Sequence, residues 1–271
     1  MRIIVLSAFL AIAAPSAAHQ VEVAQGDIGR WTGGDAVACE FEGKRRDAIA
    51  GDCYYPIDFA RAPGTYPIAR ITAQGHQQGA LTVSAVDFPE QPIDLPEDMM
   101  HYVLPGPAEL ARIRRESAQI TPLFHRHSGA AQFTLPLAAP HDPLPAGKGF
   151  GYKRIFNGHP KAAHTGLDYG IGEGQPVNAV ADGEVVLTGD HFFTGQAVYV
   201  NHGDRLVSEY FHLSEITVTP GQKVKQGELL GKVGGTGRST GPHLHFGLRW
   251  HGMRIDPARM LGDPSALPQV D

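Results

Sequence analysis

Turn-forming residues interrupt this chain at intervals too short for long helices, which restricts it to folds built from many short strands. Its 33 glycines and 21 prolines gather in clusters such as Gly33-Gly34-Asp35, Ala62-Pro63-Gly64 and Gly241-Pro242. Between the clusters lie short apolar runs, among them Leu81-Thr82-Val83, Val185-Val186-Leu187 and Ala197-Val198-Tyr199-Val200. The fold class is therefore mainly β. With 42% hydrophobic and 19% charged residues, the 271-residue chain has enough apolar material for a packed core and enough length for two domains.

The first 18 residues read as a signal peptide. Arg2 precedes an apolar stretch from Ile3 to Ala14, and Pro15-Ser16-Ala17-Ala18 places small residues where a signal peptidase cuts, after Ala18. That stretch is shorter than the ~20 residues needed to span a bilayer, so no stable membrane insertion is expected, and the mature chain should be periplasmic or secreted. A net charge of -5 without any basic run argues against nucleic-acid or anionic-lipid partners. In an oxidising compartment Cys39 and Cys53 should pair. Closing a loop of that size contributes about 3 kcal/mol in the chain-entropy model.

Residues 19–140 read as a small β domain followed by one helix near 107–120, which starts at Pro107 and carries Leu110, Ile113 and Ile120 near helical spacing. The proline-rich segment 135–145 reads as a stiff linker. Residues 141–265 then form an all-β domain, and 266–271 a tail. The segment Pro220 to Gly234 resembles the hairpins of barrel-sandwich folds, including biotinyl and lipoyl carriers. A carrier needs its lysine at an exposed tip, whereas Lys232 lies in a Gly-Lys-Val run, so that function is disfavoured.

Four of the 14 histidines stand out by their company. His164 and Asp168, four apart, return to one face of a strand and nearly so on a helix. His243 and His245 flank Leu244 in a segment where Leu244, Phe246 and Leu248 alternate as a buried face, so a strand would converge both imidazoles on one volume. Spacing leaves open which of the two is a ligand. His212 ends the apolar run Tyr210-Phe211-His212-Leu213 and, alone, would be structural. His125-Arg126-His127 has the same spacing but no carboxylate or third histidine nearby, and reads as surface. Together these groups meet the needs of catalytic zinc: three ligands from neutral imidazoles and carboxylate, with further histidines as proton carrier and oxyanion stabiliser.

Residues 148–262 resemble the LytM/lysostaphin-type zinc peptidases of family M23. The resemblance rests on Phe150-Gly151-Tyr152-Lys153-Arg154, His164-Thr165-Gly166-Leu167-Asp168, Tyr210-Phe211-His212-Leu213-Ser214, Gly237-Arg238-Ser239-Thr240-Gly241-Pro242-His243-Leu244-His245-Phe246 and Asp256-Pro257. It implies a barrel-sandwich-like catalytic domain binding one Zn2+ through His164, Asp168 and His245, with His212 and His243 catalytic. It further implies hydrolysis of peptide cross-links in bacterial peptidoglycan, either glycine bridges or D-alanine–diaminopimelate bonds. The signal peptide and the lack of wall-anchoring repeats favour a D,D-endopeptidase. The first half resembles the β domain preceding the catalytic domain in proteobacterial members, and its position suggests that it covers the groove and restrains activity. The competing reading, a metal-free M23-fold module that regulates cell-wall amidases, requires lost ligands, and here every motif position is filled.

Overall fold

The computed structural model describes residues 19–126 and 128–271; the expected signal peptide and His127 lie outside them. The first unit contains β1 (Gln20–Ala24), β2 (Ile28–Trp31), β3 (Ala36–Phe41), β4 (Lys44–Asp47), β5 (Cys53–Pro56), β6 (Gly64–Thr72) and β7 (Gly75–Ser84). Five of these form a sheet in the order β1-β7-β6-β3-β4, and β2 pairs with β5. Alternation buries Val21 and Val23 of β1 against Leu81 and Val83 of β7, in a core that also holds Trp31, Tyr55 and the Cys39–Cys53 disulfide.

β8 (Glu90–Ile93) leaves this unit and pairs in parallel with β9 (Lys153–Phe156), which in turn pairs with β10 (His159–Pro160). Between β8 and β9 lie a 3-10 turn at Glu97–Tyr102, the helix α1 (Pro107–Ile120) and a second 3-10 turn at Thr121–Phe124. α1 begins with proline at its first turn, where the missing N–H costs nothing.

The second unit is a nine-stranded sheet system of β11 (Gly166–Tyr169), β12 (Pro176–Asn178), β13 (Gly183–His191), β14 (Gly195–Asn201), β15 (Leu206–Ile216), β16 (Lys223–Val224), β17 (Leu229–Val233), β18 (Leu244–Trp250) and β19 (Met253–Ile255). Its spine runs β11-β18-β15-β14-β13-β16, while β17 pairs with both β12 and β15. Along β18, Leu244, Phe246, Leu248 and Trp250 enter the main core, so His245, Gly247 and Arg249 face the opposite side. That opposite face carries the candidate site. Lys232 lies inside β17 and pairs with Glu215 at 2.7 Å, far from any exposed hairpin tip.

The two units are tightly joined. Ile28, Ile49 and Tyr54 of the first contribute to the main core of the second, as do Phe133 and, from the segment read as a linker, Leu137. Arg254 grips Asp58 through two hydrogen bonds of 2.9 and 2.7 Å, and Phe59, Phe88 and Phe150 meet edge to face. Residues 266–271, read as a tail, dock on the first unit: Arg30 N–H donates to Pro268, Val270 N–H donates to Arg30, and Val270 is buried. Among the described residues no helix is long and apolar enough to cross a membrane.

Candidate metal centre

Strand register assembles the site. Asp168 on β11 lies opposite His245 on β18, and His245 lies opposite Phe211 on β15, so the three side chains form a row across adjacent strands. The rings of Phe211 and His245 are stacked, with centroids 5.0 Å apart and planes 2° apart, which fixes the imidazole orientation. His164 reaches the row from just before β11. Its Nδ1–H donates to the Gly149 carbonyl at 2.8 Å, which leaves Nε2 as the nitrogen with a lone pair. That contact requires glycine: Gly149 has φ +94, and a Cβ there would sit 2.7 Å from His164 Nδ1.

Three potential ligand atoms then converge. His164 Nε2 lies 2.8 Å from His245 Nδ1 and 2.9 Å from Asp168 Oδ1, and His245 Nδ1 lies 2.9 Å from the same oxygen. Burial works to raise the Asp168 carboxyl, but its hydrogen bonds to His164 and His245 outweigh this and hold it well below the usual carboxylate range. Burial pushes His245 down to about 4 despite its bond to Asp168. An ionised carboxylate and imidazole lone pairs aimed at one small volume repel one another unless a cation lies among them. A tetrahedral zinc with bonds of about 2.1 Å spaces its ligands about 3.4 Å apart, so the triangle would need to open by about half an ångström. The donor set fits zinc.

His212 enters the site through a bulge. Val198 pairs with Tyr210 but Gln196 pairs with Leu213, so β15 carries one extra residue at this point. His212 takes φ +63, a left-handed conformation costly for a non-glycine residue. Strict alternation would send it to the core side with Tyr210. The bulge instead turns it to the Phe211 side and gives the core position to Leu213, which is fully buried. His212 Nδ1–H donates to the Thr236 carbonyl at 2.8 Å. Burial, reinforced by the neighbouring imidazoles of His243 and His245, pushes it down to about 3.

His243 stands outside the triangle. Its Nε2 is 3.7 Å from Asp168 Oδ1, its Nδ1–H donates to the Gly241 carbonyl at 2.9 Å, and its ring centroid is 4.8 Å from that of His212. Geometry thus separates two residues that spacing alone left equivalent. His125 lies elsewhere, in a cavity near Arg205 and His251.

Two arginines sit at the site that the spacing of histidines did not indicate. Arg154 Nη2 donates to Asp168 Oδ2 at 2.7 Å, the oxygen turned away from the triangle. Arg238 lines the same cavity of about 140 Å³ as His164, His212 and His245. Both stand within the motifs quoted above, but only the folded chain brings them together.

The family model for peptidase family M23 matches residues 162–257. A DD-carboxypeptidase/endopeptidase, Mpg, of Neisseria meningitidis is 39% identical over 122 residues, covering 45% of this chain and 28% of that protein. The peptidoglycan DD-endopeptidase ShyA of Vibrio cholerae is 43% identical over 95 residues, covering 35% and 22% respectively. The match to these curated relatives thus spans under a third of their length. The crystal structure of a peptidase M23 from Pseudomonas aeruginosa aligns with TM-score 0.66 and 31% identity over 88% of this chain and 95% of that one. That alignment extends well beyond the segment carrying His164, Asp168 and His245, and the chain belongs to peptidase family M23.

Proposed function

We propose that this chain is a zinc-dependent endopeptidase that hydrolyses peptide cross-links of bacterial peptidoglycan, at the bond between D-alanine and diaminopimelate. The observation that carries the reading is the triangle of His164 Nε2, His245 Nδ1 and Asp168 Oδ1, with sides of 2.8 to 2.9 Å, beside two further imidazoles. The substrate class follows the activities for which the relatives from Neisseria meningitidis and Vibrio cholerae are named. The Cys39–Cys53 disulfide suits an oxidising compartment, in keeping with a periplasmic or secreted enzyme.

His164, Asp168 and His245 would hold the metal. When bound, zinc supplies Lewis acidity, polarising a carbonyl and allowing water to act as a nucleophile near neutral pH. The protein's own part is positional. Arg154 holds the outer oxygen of Asp168, Phe211 holds the plane of His245, and Gly149 sets the tautomer of His164. His212, kept neutral by burial and with Nδ1–H committed to Thr236, presents Nε2 as a hydrogen-bond acceptor that can orient the attacking water. His243, with 19% of its side chain exposed, is the more open of the two imidazoles and the one placed to serve the leaving amine.

We further propose that residues 19–140 restrain access to the groove. The turn between β13 and β14 carries Phe193 and Thr194, which line the cavity. Glu116 of α1 accepts the N–H of Phe192 in that turn at 2.9 Å, Arg112 donates to the Asp190 carbonyl at 2.7 Å, and Tyr102 lies 5.0 Å from the Phe192 ring.

The test is digestion of purified cross-linked muropeptide dimers, read by mass spectrometry. Zinc-loaded protein should convert dimers to monomers, stop on chelation and resume on zinc addition. Stoichiometric zinc with dimers left intact both by the unaltered protein and by E116A, in which the proposed restraint is loosened, would refute the reading.

A further inference from the structure

Among the described residues, Arg238 is a cation without an anion. Its guanidinium lies 4.2 Å from the ring of Phe156 on β9 and 4.8 Å from that of Phe193 at the β13–β14 turn, so two aromatic rings hold it. Its backbone N–H donates to the Phe193 carbonyl at 2.9 Å, which ties its loop to the same turn. Among the described residues no carboxylate or carbonyl accepts from its side chain. The neighbouring Arg154, by contrast, is already committed to Asp168 at 2.7 Å. Burial and the repulsion of Arg154 push Arg238 down only to about 10, so it remains charged at neutral pH. A half-buried guanidinium with five donors, held rigid and facing the metal cavity, is an arrangement for recognising a planar anion.

The proposed substrate supplies one at the matching place. In a D-alanine–diaminopimelate cross-link the scissile nitrogen sits on a carbon that also bears a free carboxylate. In a glycine bridge the equivalent carboxyl is consumed in the next amide and carries no charge. We propose that Arg238 is a specificity-determining residue that binds the free carboxylate on the leaving-amine side of the scissile bond, and so directs this site to acidic cross-links over neutral glycine bridges. This inference rests on the peptidoglycan reading above and names the substrate group that the site selects.

The test compares two soluble dimers, one with that carboxylate free and one with it converted to the carboxamide, together with a pentaglycine peptide. Loss of a charge-assisted bond changes kcat/KM by about 10- to 100-fold, so the zinc-loaded protein should prefer the acid to the amide by that factor. In R238Q the acid-to-amide ratio should fall to near one with zinc content unchanged, and R238K, which keeps the charge without the fork, should show an intermediate ratio. Equal cleavage of both dimers by the unaltered protein, or a preference that survives in R238Q, would overturn the inference while leaving the hydrolase reading intact. Cleavage of pentaglycine in place of both dimers would also overturn it and leave an endopeptidase of different specificity. Failure on all three substrates would overturn the peptidoglycan reading and this inference together.

Discussion

Arg154 Nη2 donates to Asp168 Oδ2 at 2.7 Å, while the other oxygen of the same carboxylate points at His164 and His245. On the proposed zinc reading, one carboxylate is thereby divided between orientation and ligation. Removing an orienting partner of a ligand lowers metal affinity by about 10- to 100-fold. R154Q should therefore weaken zinc binding by that factor, measured by competition with a chromophoric chelator. Unchanged affinity would show that Asp168 needs no such support.

Acid should destabilise the fold through His202, which lies away from the metal centre. Burial pushes His202 down to about 4; its Nδ1–H donates to the Asp182 backbone carbonyl and its Nε2 accepts from the Ser208 hydroxyl. A depressed histidine favours the neutral form in the folded state, so its contribution is complete above the unfolded value near 6.5 and is lost as pH falls towards 4. Between pH 7.5 and 5 that amounts to about 2 kcal/mol. Urea denaturation at the two pH values should show the loss, and H202Q should have a shallower pH slope. Parallel slopes would assign the acid sensitivity to other groups.

The Cys39–Cys53 disulfide closes a separation of 14 residues inside the core of the first unit. Its removal in a C39A/C53A double variant should cost about 3 kcal/mol in the chain-entropy model. The denaturation midpoint with and without the bond measures it, and coincident midpoints would contradict the expected contribution.

Glu116 links α1 to the turn beside the cleft. If that link restrains access, E116A should raise kcat/KM on muropeptide dimers several-fold while zinc content stays constant. A fall in activity would mean that α1 supports a productive shape of the cleft.

The catalytic sheet was readable where side-chain period and local chemistry coincide. Leu244, Phe246 and Leu248 alternate in the sequence and all three are fully buried, which brings His245 to the opposite face. The start of α1 was equally local, because Pro107 suits a first turn. Contacts between distant segments left no such mark. Nothing in the spacing links Arg154 on β9 to Asp168 on β11, or Val270 to the core of the first unit. His212 was hidden differently: alternation assigns it to the core side, and only an extra residue in β15 reverses that. Apolar residues within the proline-rich stretch also pack in ways that a linker would not, since Leu137 lies in the main core and its N–H donates to Met260.

The proposed division of labour among His164, Asp168, His245, His212 and His243 is tested most directly by measuring zinc content, by native mass spectrometry, in H164A, D168A, H245A, H212A and H243A, alongside dimer hydrolysis. The first three should lose zinc and activity together, whereas H212A and H243A should retain one zinc per chain and lose activity by about 100-fold or more. Zinc loss in H212A or H243A, or zinc retained at full occupancy in D168A, would contradict that division.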